Sequence, residues 1–256
     1  PWSVDPLLPT GSNVLRARAG NRCIRQNTLG TLHGAPLFDP FLRPLKDRLL
    51  APLAKTLRGV EPGIITAMGL SLGIGAAFAA WSGAFKLGLG LWLGNRVLDG
   101  LDGAVARLRG DASDLGGFLD LVADFAVYAA VPAAMALRPG VDPELTRAGL
   151  VLVAAFYVNA ASWMVPAAIL EKRGRGADVR GETTAVIMPE GLVAGGETVL
   201  FYTLFFLLPP RQVTLFYLMA GLTVLTILQR IRWGIREFAS RPGTPAGIAQ
   251  TDLNVG

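Results

Sequence analysis

Four aspartates within residues 99–124 have a spacing that suits metal chemistry. Asp99 and Asp102 are three residues apart and Asp120 and Asp124 are four apart, so each pair occupies one face if its segment is helical. Two such faces opposite each other would form a cluster of carboxylate oxygens, which are the ligands that Mg²⁺ and Mn²⁺ prefer. We therefore expect a site for Mg²⁺ or Mn²⁺, with two ions, that would polarise phosphate oxygens.

Other kinds of metal and redox chemistry are excluded by the composition. The chain contains a single cysteine, Cys23, and a single histidine, His33. Disulfide frameworks, CxxC redox sites and zinc sites built from His and Cys all need more of these residues. Any metal in this protein is therefore expected to be held by oxygen.

Small residues surround the acidic positions, and an arginine stands among them. The small residues are Gly100, Gly103, Ala104, Ala106, Gly116 and Gly117. Where side chains are absent, a ligand can approach the backbone closely. Arg107 can hold a phosphate through two parallel hydrogen bonds. This combination favours the binding of a pyrophosphate next to the metal.

The segments that position these residues are long and apolar. Of the 256 residues, 52% are hydrophobic and 17% are charged, and the mean hydropathy is +0.44, which excludes an ordinary soluble domain and a disordered chain. A bilayer core about 30 Å thick needs roughly 20 apolar residues per helix. Six stretches are suitable: 63–82, 86–106, 116–137, 147–169, 190–208 and 213–233. We predict an all-α, polytopic integral membrane protein with six transmembrane helices, in which the pairs Gly69/Gly73 and Gly90/Gly94 allow close helix packing.

The four aspartates fall in the second and third predicted spans, where charge is costly. A mid-membrane aspartate costs about 2.5–3.5 kcal/mol on the translocon scale, and Arg107 alone cannot compensate four of them. Residues 109–114 form a turn between the two spans, with Ser113 or Asp114 as the candidate helix N-cap. An antiparallel hairpin would then bring both acidic pairs to a similar depth near one face of the membrane.

The distribution of basic residues predicts the orientation in the membrane. Nineteen of the 24 Lys and Arg residues lie in residues 1–60, in the loops after the second and fourth spans, or at the end of the chain. By the positive-inside rule, both termini and the acidic cluster then face the cytoplasm. The net charge of +5 is explained by this bias and by contact with membrane lipid, without nucleic acid as a partner.

The residues before the first span divide into two parts. Residues 1–37 lack a signal-peptide pattern and are expected to form a polar cytoplasmic tail. In residues 39–58, leucines recur at three- and four-residue spacing with basic residues between them. This pattern predicts an amphipathic helix in the membrane interface, and a soluble helix packed on a partner is the alternative. The membrane domain would cover residues 38–235, followed by a cytoplasmic tail at 236–256.

The acidic stretch resembles the signature of a known family of enzymes. Every fixed position of the signature of the CDP-alcohol phosphotransferase (CDP-alcohol phosphatidyltransferase) family is present in the run Asp99-x2-Asp102-Gly103-x2-Ala106-Arg107-x8-Gly116-x3-Asp120-x3-Asp124. The resemblance implies a membrane enzyme of phospholipid synthesis. Such an enzyme transfers a phosphate-alcohol group from a CDP-alcohol donor, such as CDP-diacylglycerol, to an acceptor alcohol and releases CMP. It also implies a homodimer, and we expect a bacterial inner-membrane location.

The resemblance further implies roles for individual residues. All four aspartates would hold the metal, and Asp120 and Asp124 would be catalytic, with Asp124 as the general base. The residues that would contact the nucleotide or the rest of the donor are Thr66, Gly103, Ala106, Arg107 and Gly116. One nearby position departs from the family, which commonly has Asn where this chain has Gly63.

The acceptor and a second class of function are left open by the sequence. Arg175 and Arg180 are candidate contacts for a small or phosphorylated alcohol, or they only set topology and contact lipid headgroups. Glu197, in the fifth predicted span, is a candidate acceptor contact or a partner of Arg96. The alternative function is a divalent-cation transporter that uses the intramembrane carboxylates as its translocation site.

Overall fold

The structure, a computed structural model, describes residues 50–174 and 191–239, and the regular elements in these two ranges are all helical. The main helices are α1 (Pro62–Trp81), α2 (Phe85–Arg109), α3 (Asp114–Ala136), α4 (Pro143–Lys172), α5 (Gly195–Leu207) and α6 (Gln212–Ala239). A helical segment at 50–56 and a 3₁₀ turn at Leu57–Gly59 precede α1. The predicted tail at 1–37 and the first part of the predicted interfacial helix lie outside the described residues.

Four of the described helices are long and apolar enough to cross a membrane. These are α1, α3, α4 and the segment Pro209–Ala239, which includes α6. Helix α2 has 25 residues and is about 37 Å long, but its charged residues lower its hydropathy. Helix α5 has 13 residues, or about 20 Å, which is less than a bilayer core. The chain is an all-α polytopic membrane protein, and four of the six predicted spans meet both criteria.

Helix α5 begins at Gly195, five residues later than the sequence predicts. Residues 191–194 are not helical because their backbone bonds to side chains of α6 instead. The amide of Leu192 donates to Gln229 Oε1 at 3.1 Å, and the amide of Val193 donates to Thr226 Oγ1 at 2.9 Å. These bonds satisfy backbone groups that a helix would otherwise pair, and so the apolar run 190–208 is not one continuous helix.

Helix α1 packs along both α2 and α3. Two of its glycines are buried and allow the close approach that the sequence predicts. A Cβ atom on Gly73 would lie 2.3 Å from Val127 Cγ2 of α3, and one on Gly69 would lie 3.5 Å from Leu98 Cβ of α2. The second predicted pair is divided, because a Cβ on Gly94 would lie 3.0 Å from Leu72 Cδ1 of α1, whereas one on Gly90 would meet nothing within 4 Å.

The turn between α2 and α3 matches its prediction, but the two helices do not form a tightly packed hairpin. Gly110 ends α2 in the left-handed conformation, with φ of 73°, and Ser113 caps α3 by accepting from the Gly116 amide at 3.2 Å. Beyond this turn, α2 and α3 approach each other closely at few positions, because each packs mainly on α1.

The largest buried cluster lies among the helices on the side away from this turn. It includes the fully buried aromatic residues Trp92 of α2, Tyr202 and Phe205 of α5, and Phe216 of α6. The rings of Trp92 and Tyr202 stack with centroids 4.9 Å apart. A smaller cluster joins the helical segment 50–56, through the fully buried Ala54, to the part of α2 that precedes the turn. These contacts fix α2 at both ends of its acidic segment.

Candidate functional site

The four predicted aspartates lie together between α2 and α3, and we call them the acidic site. Asp99 and Asp102 lie on α2, and Asp120 and Asp124 lie on α3. Arg96 joins the two helices at this point, because it pairs with Asp99 of α2 and with Asp124 of α3. The i,i+3 and i,i+4 spacings therefore place both pairs on facing sides of the two helices, as the sequence predicts.

Asp102 is held from α1 and is the most buried of the four aspartates. Its side chain is buried, with 5% of the residue exposed. The hydroxyl of Thr66 donates to Asp102 Oδ2 at 2.7 Å, and the amide of Gly103 donates to Oδ1 at 2.5 Å. Thr66, predicted as a donor contact, thus contacts a carboxylate of the acidic site directly.

Arg96 pairs with two of the aspartates, and the sequence interpretation missed this role. Its Nη2 lies 2.8 Å from Asp124 Oδ1 on α3, and its Nη1 lies 3.8 Å from Asp99 Oδ1 on its own helix. Nη1 also donates to the hydroxyl of Tyr128 at 2.7 Å. The i,i+3 spacing of Arg96 and Asp99 is the signal in the sequence that could have identified this pair.

The small residues of the motif lie on the side of the acidic site that faces the turn. Arg107 folds back over Gly103, because a Cβ on Gly103 would lie 3.2 Å from Arg107 Nη1. Arg107 is exposed, Ala106 is half-buried, and Gly116 is exposed with its amide bound to the Ser113 side chain. These residues form an open rim with one guanidinium and little side-chain bulk.

The predicted acceptor residues are not brought together with the acidic site by the described structure. Arg175 and Arg180 lie outside the described residues. Glu197 lies in the first turn of α5, where it is buried and its Oε2 accepts from the amide of Ala194 at 3.1 Å. This contact is a helix-capping role that the sequence interpretation did not consider. Arg96, its other suggested partner, pairs with Asp124 and Asp99.

The acidic site offers only hard oxygen ligands, which is the donor set that Mg²⁺ and Mn²⁺ require. Among the described residues, no three Asp, Glu, His or Cys side chains already converge as a metal-binding group. Asp124 is turned to Arg96, and Asp102 is turned to Thr66. The donor set therefore fits a hard divalent cation.

Comparison with known proteins connects this geometry to a family. The model of the CDP-alcohol phosphatidyltransferase family matches residues 60–228. The inner membrane protein YnjF of Escherichia coli (strain K12) is 34% identical over 170 residues, which cover 66% of this chain and 80% of that protein.

The fold is also similar to solved structures of the phosphatidylinositol phosphate synthase PgsA1 of Mycobacterium tuberculosis. The structure with CDP-DAG bound has a TM-score of 0.57 and 22% identity, and covers 80% of this chain and 100% of that chain. The structure in complex with manganese and citrate has a TM-score of 0.58 and 21% identity, and covers 79% and 93%. At this identity the likeness is one of fold.

Proposed function

The chain belongs to the CDP-alcohol phosphatidyltransferase family, and we propose that its acidic site performs the reaction of this family. The protein is thus a membrane enzyme that transfers a phosphatidyl group from a CDP-alcohol donor. One observation carries the proposal. The signature residues, which lie on two successive helices, face each other across α2 and α3 with an open rim of small residues and Arg107 beside them. Family membership favours this enzyme over the cation transporter.

The donor is proposed to be a CDP-linked lipid of the CDP-diacylglycerol type. Its pyrophosphate would lie against the rim, with Arg107 on a phosphate and Gly103, Ala106 and Gly116 close to the nucleotide. The absence of side chains at the glycine positions would let the nucleotide approach the backbone. Lipid tails would remain in the bilayer beside the helices. Support comes from the PgsA1 structure with CDP-DAG bound, which has the same fold.

The acidic site is proposed to hold two ions of Mg²⁺ or Mn²⁺ through its four carboxylates. Bound divalent cations supply positive charge to the pyrophosphate oxygens and to the leaving CMP. Thr66 fixes the orientation of Asp102. The hard carboxylate donor set and the manganese in a solved structure of the same fold support this assignment.

The reaction that these residues would support is a displacement at the β-phosphorus of the donor. The acceptor hydroxyl oxygen forms a bond to that phosphorus, and the bond from the phosphorus to the bridging pyrophosphate oxygen breaks. CMP leaves with the bonding electron pair, and the hydroxyl proton passes to Asp124 as general base. Asp120, one turn away on α3, would orient the same oxygens.

The acceptor is proposed to be a small or phosphorylated alcohol that enters from the cytoplasmic side. Arg175 and Arg180 are the candidate contacts for an acceptor phosphate. Glu197 is the weaker candidate, because one of its carboxylate oxygens already caps α5. Replacing Arg175 or Arg180 by Ala should raise the acceptor KM and leave the donor KM nearly unchanged. Equal effects on both would return this loop to a topological role.

We also propose a homodimer in which each protomer has a complete acidic site, since α2 and α3 of one chain supply all four aspartates. Both termini and the acidic site would face the cytoplasm. Heterodimers of wild-type and Asp102→Asn protomers should then retain about half of the activity, as expected for independent sites. Complete loss of activity in the heterodimer would argue for a site shared between protomers.

The deciding experiment measures CMP release from CDP-diacylglycerol by the purified protein with a panel of acceptor alcohols. Release should require Mg²⁺ or Mn²⁺, stop after thorough chelation, and fail to return with zinc alone, because the ligands are hard carboxylates. The Asp99→Asn variant is the inactive control. Full activity after chelation would contradict the metal assignment. Metal flux into liposomes without CMP formation would support the transporter instead.

A further inference from the structure

Arg96 is a buried charge that the proposed transfer does not use. Only 9% of its side chain is exposed, and burying an arginine is costly unless its charge and its donors are all satisfied. It lies one helical turn before Asp99, on the far side of the acidic site from the rim that faces the turn. It therefore forms the floor of the site, between the carboxylates and the aromatic cluster.

The guanidinium is held from several directions at once. Nε donates to Asn95 Oδ1 at 2.8 Å, and Asn95 is itself anchored to α1, because its Nδ2 donates to the Gly69 carbonyl at 2.9 Å. Nη1 donates to the Tyr128 hydroxyl. The guanidinium carbon lies 4.8 Å from the ring centroid of Trp92 and 5.0 Å from that of Tyr128. Because hydrogen bonds hold its N–H donors and aromatic rings pack on its plane, the Arg96 guanidinium has a single orientation.

That orientation determines what Asp124 can do. The ion pair at 2.8 Å engages one lone pair of Asp124 Oδ1, so this oxygen is a weaker metal ligand while the pair stands. The second oxygen of the same carboxylate takes no part in this contact. Asp99 is bound more loosely, at 3.8 Å. Arg96 thus acts unequally on the two aspartates and restrains the one on α3.

We propose that Arg96 is a positioning residue that holds Asp124 through Oδ1 and limits its coordination to metal, so that the carboxylate stays oriented towards the acceptor. This inference rests on the proposed function of the acidic site. It assigns to Arg96 a task that a simple counter-charge does not have. If Arg96 only neutralised Asp124 for stability, its removal would weaken folding but leave the kcat of the folded protein nearly unchanged, and Arg96→Lys would behave as wild type.

The inference predicts effects of opposite sign on metal binding and turnover. In Arg96→Met, Asp124 is released to the metal and a positive charge is lost from the site, so Mn²⁺ should bind at least threefold more tightly. At the same time kcat should fall by a factor on the order of 10², while the donor KM changes little. Mn²⁺ affinity is read from the EPR signal of free Mn²⁺ with purified protein, and kcat from CMP release.

Two further variants keep the test decisive if Arg96→Met folds poorly. Arg96→Met combined with Asp124→Asn removes both buried charges, and its kcat should equal that of Asp124→Asn alone, since residues acting through one group are not additive. Arg96→Lys keeps the charge but not the planar fork, so it should lose about tenfold in kcat. Arg138→Met is the matched control, because Arg138 also packs on an aromatic ring, 4.9 Å from the centroid of Phe85.

Several outcomes would overturn the inference. These are weaker or unchanged Mn²⁺ binding in Arg96→Met, full activity in Arg96→Lys, or losses in the double variant that add to those of Asp124→Asn. The test also separates this inference from the proposed function. If the wild-type protein releases no CMP, the proposed function fails, whereas the Mn²⁺ affinity of Arg96→Lys, which keeps the charge, still decides whether the planar group of Arg96 restrains Asp124.

Discussion

Two aspartates of the acidic site are held by different chemical groups, and this difference should separate their roles. Asp102 accepts from a neutral hydroxyl and a backbone amide, whereas Asp124 is paired with a guanidinium. Asp102→Asn should weaken metal and donor binding together, since an amide is a poor ligand for a hard cation. Asp124→Asn should keep much of the donor affinity and lower kcat by a factor on the order of 10².

Calorimetry with the CDP donor and CMP release measure these two effects. Asp114→Asn is a control for the loss of one carboxylate, because Asp114 is exposed at the start of α3. Equal losses of donor affinity in Asp102→Asn and Asp124→Asn would make Asp124 chiefly a metal ligand. Near wild-type turnover in Asp124→Asn would remove its assignment as the base.

The hydroxyl of Thr66 gives a second prediction for single residues. Thr66→Val keeps the shape of the side chain but removes the 2.7 Å hydrogen bond to Asp102. Loss of a group that orients a metal ligand costs roughly 10- to 100-fold in metal affinity. Mn²⁺ affinity measured by EPR should therefore fall at least tenfold in Thr66→Val, because a hydroxyl carries no charge that competes with the metal.

Two variants control for the general effects of losing a hydroxyl. Thr66→Ser should retain most of the affinity. Ser71→Ala removes a hydroxyl of the same helix that bonds only to its own backbone, at Ala67, among its described contacts, and should have no effect on Mn²⁺ binding. If Thr66→Val binds Mn²⁺ as well as Ser71→Ala, Asp102 does not depend on Thr66 for its orientation.

At this scale the sequence predicts the positions of the carboxylates but not what holds them. Helical periodicity is enough to put Asp99 beside Asp102 and Asp120 beside Asp124. The pairing of Arg96 with Asp124 joins residues 28 apart and depends on how two helices face each other, which no local pattern gives. The predicted Ser113 cap is local, and the structure confirms it.

At the scale of the helices, the approach of α1 to α3 depends on a missing side chain. A Cβ on Gly73 would lie 2.3 Å from Val127 Cγ2, and both residues are buried. Gly73→Ala should therefore force the helices apart and lower the free energy of unfolding by about 1–3 kcal/mol, the usual cost of overpacking. Thermal unfolding in detergent measures this effect.

The chain provides a matched glycine and a compensating change for this experiment. Gly90→Ala adds the same methyl group to α2, where it meets nothing within 4 Å, and should leave the unfolding temperature unchanged or slightly higher. Val127→Ala in the Gly73→Ala background should recover part of the loss by removing the colliding methyl groups. A Gly73→Ala variant as stable as Gly90→Ala would show that the two helices are not in close contact there.

Sequence analysis predicts the ends of α1 correctly, but it predicts neither the start of α5 nor the way α2 and α3 pack. Hydropathy predicts α1 to within one residue at each end, because an apolar run of bilayer length bounded by Pro62 and a glycine turn has few alternatives. The start of α5 depends on hydrogen bonds that the backbone amides of residues 192 and 193 donate to the side chains of Gln229 and Thr226 on α6. The divergence of α2 and α3 depends on α1, which packs on both helices. Both features are tertiary and leave no periodic signal.

For the whole molecule, the unequal distribution of charge predicts orientation. The predicted topology puts most Lys and Arg residues on the side of the α2–α3 turn and few on the opposite side, among them Lys86 and Arg138. The product CMP is a soluble nucleotide, so the open rim of the acidic site is expected to face the cytoplasm, where CMP can leave. The charge bias and the position of the rim thus favour the same orientation by independent reasoning.

The single cysteine of the chain makes this orientation measurable. Cys23 lies in the predicted cytoplasmic tail, so a membrane-impermeant maleimide should not label it in intact cells and should label it after permeabilisation. The control is Pro139→Cys in a Cys23→Ser background, because Pro139 is exposed in the turn between α3 and α4 on the opposite side, and it should react in intact cells. CMP release by both variants shows that the labelled proteins are folded.

Labelling of Cys23 in intact cells, with Pro139→Cys protected, would invert the topology and place the acidic site on the side without CDP-alcohol. Equal labelling of both positions in intact cells would mean that the membrane is leaky, and a cytoplasmic marker protein in the same cells checks for this.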